Sequence, residues 1–170
     1  MTPLTLVPTF KRMLVLLTTC VLQLSCALVF AADKGVTAEL HAFKVVTGAN
    51  GPQLVATTEA LPGDTIEYQV TYRNGAATPA RDVLATLPVP KGGMAYVAGS
   101  AAPAKVMASL DGKQYAPVPL TRTVDRDGKH VTETVPVAEY RFLRWQLGEL
   151  APGRSATVSS RMRLDGATKQ

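Results

Sequence analysis

The chain has 170 residues, of which 46% are apolar and 18% are charged, a balance typical of one globular domain and unlike that of a disordered chain. The formal net charge is +5, and two of the basic residues, Lys11 and Arg12, precede an apolar N-terminal run. The remaining basic excess is small, so composition gives no reason to expect nucleic acid or another polyanion as the partner.

The N-terminus has the layout of a secretory signal. The basic pair is followed by a run from Met13 to Ala32 that carries no charge and few polar residues. Val29 and Ala31 are small enough for the −3 and −1 positions of a cleavage site. We therefore predict cleavage after residue 31, with a signal peptide over 1–31 and one domain over 32–170.

Two alternatives for this leader remain open. The apolar run is long enough to cross a bilayer as an uncleaved anchor, and lipidation of Cys20 or Cys26 would tether the chain. Each alternative places the domain outside the cytoplasm, in the periplasm, at the cell surface or in the medium. Both cysteines lie in the leader, so the cleaved domain is expected to have no disulfide and no thiolate metal site.

After the leader, short alternating segments separated by Gly, Pro, Asn and Asp predict β-strands. No stretch beyond residue 33 shows the 3.6-residue periodicity of a capped helix. In chain order, the predicted strands are Val36–Val46, Leu54–Thr58, Thr65–Tyr72, Arg81–Leu87, Met94–Ala98, Val106–Leu110, Leu120–Val124, His130–Val135, Tyr140–Leu147 and Ser155–Leu164.

The clearest of these patterns is Thr65–Tyr72, in which apolar and polar residues alternate without a break. Ile66 and Val70 are expected to face a core, and Glu67 is expected to face water. The last strand alternates equally well, with Met162 among its inward residues. These patterns predict an all-β fold, an immunoglobulin-like antiparallel β-sandwich of about seven to nine strands.

A separate exposed hairpin is predicted around residues 125–128. The sequence Asp125, Arg126, Asp127, Gly128 is typical of a tight turn, and threonines recur on one side of both predicted arms. The threonines on one side of both arms indicate that this hairpin is exposed.

Three segments resemble a known family. Leu61 to Val70 reads LPGDTIEYQV, Met94 to Ser100 reads MAYVAGS, and Trp145 to Val158 reads WQLGELAPGRSATV. This pattern resembles the bacterial conserved-repeat family, the eleventh in a series of domains of unknown function. The resemblance covers roughly Leu61 to Leu164, and it implies an immunoglobulin-like, extracytoplasmic domain without enzyme activity. Trp145, on a strand of alternating residues, is expected in the core.

Metal and catalytic sites find little support in the sequence. His41 and His130 are the only histidines, too few to make a zinc site without cysteine. Asp125 and Asp127, with Glu133 nearby, leave open a weak surface calcium site as an alternative to a plain turn. Ser100 follows a glycine without the nucleophile motif of a hydrolase and is predicted to be a turn residue. We therefore expect no catalytic residue, no metal and no cofactor.

Basic residues are frequent near the C-terminus. They are expected to keep an edge strand from pairing with neighbours, or alternatively to bind an anionic glycan or lipid head group. The residues concerned are Arg141, Arg144, Arg154, Arg161 and Arg163, with Glu149 among them.

Taken as a whole, the sequence predicts a non-enzymatic structural or binding module of the periplasm or cell surface. The alternative is an accessory assembly factor that supports another exported protein through an exposed strand edge. Partners are expected to be envelope proteins or anionic head groups, with a membrane only if the leader is uncleaved.

Overall fold

The computed structural model describes residues 35–166, so the predicted signal peptide lies outside the described residues. The described chain is all-β and antiparallel, with one 3₁₀ turn at Val137–Glu139. Its strands are β1 (Val36–Gly48), β2 (Gly51–Ala56), β3 (Thr65–Asn74), β4 (Ala80–Pro88), β5 (Met94–Tyr96), β6 (Met107–Ser109), β7 (Ala116–Pro117), β8 (Thr121–Arg126), β9 (Lys129–Thr134), β10 (Phe142–Leu150) and β11 (Ser155–Leu164).

The strands form two main sheets and a hairpin. Sheet A has the order β2-β1-β3-β11-β5, sheet B has the order β4-β10-β6-β7, and β8 pairs with β9 alone. Within residues 35–166, no helix has the length and hydropathy needed to cross a bilayer. The arrangement is β-sandwich-like, because buried side chains of both main sheets meet in one apolar cluster.

Every strand predicted from the sequence corresponds to a strand in the structure, and the bounds of β11 are those predicted. The two main sheets contain nine strands, within the expected seven to nine, and the separate hairpin brings the number in the described residues to eleven. β7 was not predicted, because its ladder with β6 joins only two residue pairs, Met107 with Pro117 and Ala108 with Ala116. A pairing of that length leaves no alternating pattern in the sequence.

Trp145 lies at the centre of the core. Only 2% of its surface is exposed, and its indole Nε1–H donates to the carbonyl oxygen of Pro103 at 2.8 Å. Leu143 on the same face of β10 and Val70 on β3 belong to the same cluster. The predicted burial of Trp145 is confirmed.

One prediction of which β3 side chains face water was wrong. Glu67 was expected in water, but it is buried. Arg161 Nε donates to Glu67 Oε2 and Gln69 Nε2 donates to Glu67 Oε1, both at 2.8 Å. Arg161 and Gln69, on the same outer face of sheet A, therefore cover the carboxylate and also donate hydrogen bonds to it. Alternation identifies the face of a residue but does not show what neighbouring strands place over it.

β3 ends at Asn74, where the chain leaves sheet A and crosses to β4 in sheet B. Asn74 is fully buried, and its Nδ2 donates to the carbonyl oxygens of Thr78 and Leu150, each at 2.8 Å. Its Oδ1 accepts from the N–H of Ala76 at 3.0 Å. One side chain therefore holds the end of β3, the start of the β4 connection and the end of β10 together.

The β8–β9 hairpin has the turn that its sequence predicts. Asp127 and Gly128 have φ values of 53° and 74°, as the two central residues of a type I′ turn require. The arms are exposed along most of their length. The predicted exposed hairpin is confirmed.

Candidate functional site

The inner face of sheet A is covered unevenly. Leu40, Val70 and Val158 lie side by side on β1, β3 and β11, as directly opposed partners in the two ladders. Opposed residues of antiparallel strands share a face, so all three point toward sheet B. Their exposed fractions are 56%, 6% and 1%. Coverage by sheet B therefore ends between β3 and β1.

The packing of the sheets explains this gradient. Val70 on β3 and Val158 on β11 share one buried cluster with residues of β4 and β10, and among the described residues none from β1 or β2 belongs to it. β4 is the edge strand of sheet B. β1 and β2 extend past that edge with their inner side uncovered. We call this uncovered surface the open face; its exposed apolar side chains are Val36 and Leu40 on β1 and Val55 on β2, with the small Ala38 between the first two.

Beside the open face, β4 has an unpaired backbone edge within the described chain. Val89 N–H donates to the carbonyl oxygen of Arg141 on the β10 side. Because hydrogen-bonding direction alternates along a strand, Leu87 and Ala85 also face β10, and Leu84 and Thr86 direct their N–H and C=O groups to the free edge. The stretch Leu84–Pro88 pairs with β10 without a register shift.

The start of β4 is irregular. Asp82 has φ 52°, Gly148 opposite this region has φ 71°, and the ladder shifts register on either side of Gly148. A bulge of this kind twists an edge strand and limits pairing with other chains. The backbone groups of β4 that can pair with another strand therefore lie in its regular half, Leu84–Pro88.

An ion pair closes one end of the open face. Lys44 Nζ lies 2.8 Å from Asp64 Oδ2. The hydrogen bond from Lys44 lowers the pKa of the Asp64 carboxyl below its ordinary value, and the N–H of Leu61 contributes in the same direction. Lys44 is directly opposite Val55, so the charged pair borders the apolar surface at that level.

The two histidines lie on different elements. His41 Nε2 lies 3.1 Å from Glu39 Oε1 on β1, and His130 Nδ1 lies 3.7 Å from Asp125 Oδ2 on the hairpin; all four side chains are largely exposed. Among residues 35–166, no three His, Cys, Asp or Glu side chains are grouped as a metal site would require.

The acidic residues of the hairpin do not converge on one point. Asp127 forms the turn, whereas Glu133 accepts hydrogen bonds from Arg122 Nε and Arg126 Nη2, each at 2.8 Å. The bond from Arg122 is the main cause of the lowered pKa of Glu133. Glu133 is engaged by arginines, which explains its position without a cation.

Ser100 is a turn residue, as predicted. Its Oγ donates to the carbonyl oxygen of Val97 at 2.6 Å and accepts from the N–H of Arg161 at 2.9 Å. This hydroxyl fastens the segment after β5 to β11.

The structure does not bring the five arginines together in one patch. Arg144 lies on the outer face of sheet B, where its guanidinium stacks 3.4 Å above the Tyr115 ring and donates to Thr86 Oγ1. Arg161 lies on the outer face of sheet A and pairs with Glu67. Arg141 donates to backbone carbonyls, and the remaining two, Arg154 and Arg163, are exposed.

A small hollow of about 240 Å³ lies next to Trp145. Pro103, Met107 and Leu147 line it, with Lys105 and Arg144 as its basic residues. This volume is below the ~300 to 1,000 Å³ of ordinary small-molecule sites. Two other hollows, of about 330 Å³ beside Tyr115 and about 550 Å³ beside Phe142, are within that range, so volume alone does not select a site. We take the open face as the candidate binding surface because it exposes apolar side chains on the inner side of a sheet.

No protein-family model, curated protein or solved structure matches the chain. Sequence reasoning did not identify the open face, although it did predict both strands that form it. The only available signal was the mixture of apolar and small residues along β1, and the same mixture is found in covered strands.

Proposed function

We propose that this chain is a non-enzymatic binding module of the bacterial envelope, exported by its N-terminal leader and folded as an immunoglobulin-like domain of the conserved-repeat family. The two facing antiparallel sheets support the fold, and the leader pattern together with the quoted sequence segments supports the location and the family.

The observation that carries the binding role is the open face. Apolar side chains on the inner side of a sheet normally belong to a core, and leaving them in water is unfavourable. Here they sit beside a strand with free hydrogen-bonding groups, so one surface offers both apolar contact and backbone pairing. This combination also favours the second candidate function, an assembly factor that holds a strand of another exported protein.

Export is tested by expressing the chain with a C-terminal tag in a Gram-negative host and fractionating the cells. We expect the protein in the periplasmic or surface fraction with Ala32 as its first residue. Recovery from the cytosol with Met1 intact would contradict the proposed location. Recovery from the membrane with Met1 intact would instead establish the anchor.

The binding role is tested separately by placing a photo-crosslinking amino acid at Thr37, on the opposite face of β1, and at Ala38, on the open face. We expect a discrete cross-linked species from position 38 and none from position 37. Equal labelling from both positions, or none from either, would contradict binding at the open face.

A further inference from the structure

We propose that the open face receives one extended, apolar segment of another exported polypeptide, which adds to sheet B as an antiparallel strand beside β4. This inference rests on the proposed function and specifies its partner. Every ladder in the described structure is antiparallel. β4 is the edge strand of sheet B and shares the core cluster with Val70 on β3, whereas Leu40, the partner of Val70 on the neighbouring β1, is exposed.

The geometry of β4 determines which residues of the added strand form hydrogen bonds with β4 and which point inward to the open face. Residues directly opposite Leu84 and Thr86 would exchange hydrogen bonds with them and share their outward face. The residues in between would point inward, onto Leu40 and its neighbours. The segment therefore needs apolar residues at alternate positions, and its hydrogen bonds to β4 come from the other, outward-facing set.

Edge-to-edge pairing with a second copy is sterically unfavourable. Strands in a sheet are about 4.8 Å apart, so β1 and β2 carry sheet A about 10 Å past the β4 edge. If β4 paired with β4 of another copy, both overhanging β1–β2 pairs would project into the same space. One added strand fits above the overhang, whereas a folded copy presenting its own β4 does not.

The chain segment that leads into β1 is also unsuitable once the leader is removed. Cleavage after residue 31 leaves only Ala32, Asp33 and Lys34 before the first described residue, Gly35. Three residues cannot both cross from sheet A to sheet B and pair along Leu84–Pro88. The partner strand must then come from elsewhere, and another exported chain supplies it.

The test uses the mature protein and a fluorescent heptapeptide in which threonine and valine alternate. Valine is expected inward against Leu40 and threonine outward with its N–H bonded to β4. Two further peptides carry N-methyl groups either on the threonine amides or on the valine amides. Binding measured by fluorescence anisotropy should be lost for N-methyl-threonine and retained for N-methyl-valine.

Two protein variants complete the test. Leu40→Glu places a charge on the open face and should weaken peptide binding at least about tenfold. Val131→Glu is the matched control, because Val131 is an exposed apolar strand residue on the separate hairpin, with Arg122 and Arg126 on its face. Thermal unfolding of both variants is measured to check that each is folded.

Several results would overturn the inference. No peptide binding, equal binding of the two methylated peptides, or undiminished binding to Leu40→Glu would each rule out strand addition at this face. A concentration-dependent dimer of the unliganded protein that Leu40→Glu dissociates would show that a second copy covers the face. The fractionation and cross-linking experiments described above test export and binding at the open face, so their results do not depend on whether a strand adds to β4.

Discussion

Replacing Trp145 by alanine is the most direct perturbation of the core. Trp145 is the single tryptophan of the chain, and it lies at the centre of the core with its Nε1–H bonded to Pro103. The substitution removes the indole from the contact between the sheets and leaves a cavity among residues that both sheets contribute. It leaves the backbone pairing of β10 with β4 and β6 intact.

The size of the effect follows from the buried area. A buried tryptophan removes on the order of 200 Å² from water, which at ~25 cal/mol per Å² corresponds to about 5 kcal/mol. Measured losses for large aromatic residues in cores are ~3–5 kcal/mol. A domain of this size is stable by only ~5–15 kcal/mol, so Trp145→Ala is expected to leave it marginally folded or unfolded.

Trp145→Phe keeps the domain measurable if the alanine variant does not fold. It retains a ring in the cavity and loses the indole hydrogen bond and part of the volume, so we expect a loss of ~1–3 kcal/mol. Urea unfolding followed by far-UV circular dichroism measures both variants. In the unaltered protein, Trp145 emission should be blue-shifted and move to the red on unfolding. A loss below about 1 kcal/mol for Trp145→Ala, with native emission near that of free tryptophan, would refute the core assignment.

Three further predictions concern buried or hydrogen-bonded polar groups. Asn74→Ala removes three hydrogen bonds at the end of the sandwich and should lower the free energy of unfolding by ~2–4 kcal/mol in urea titrations; a loss under about 1 kcal/mol would contradict the bridging role. Ser160 Oγ is buried without a protein partner, so in the same assay Ser160→Ala should leave stability unchanged or raise it by up to about 1 kcal/mol, and a clear loss would show that the hydroxyl is satisfied. Hydrogen bonds from the N–H of Gln114, and to a smaller extent of Lys113, lower the pKa of the Asp111 carboxyl. The ionised carboxylate therefore contributes to the free energy of unfolding in full above its ordinary pKa near 4, and this contribution is lost as pH falls through the lower folded value. Unfolding midpoints at pH 6 and pH 3 should therefore differ less for Asp111→Asn than for the unaltered protein, and equal differences would contradict this.

Local patterns determined much of this fold. Alternation in Ser155–Leu164 predicted both the strand and the buried side of Met162, and the Asp-Gly pair predicted the turn of the hairpin. A tight turn depends on residues close together in the chain. A strand with one buried face requires apolar side chains at every second residue, and this alternation is visible in the sequence. Trp145 was predicted in the core for the same reason, because it alternates with Leu143 and Leu147.

Tertiary structure alone decided what covers each face. Leu40 and Val70 are equivalent as sequence signals, since both are aliphatic residues on the inner face of a strand in sheet A, yet one is exposed and the other buried. Glu67 is buried although its position in the pattern is polar, and Arg144 and Arg161 lie on opposite sheets although they are near in sequence. A period of two residues specifies which way a side chain points from its own strand. Where the second sheet ends depends on how both sheets twist and pack, and the open face exists because sheet B ends at β4 while sheet A continues to β2.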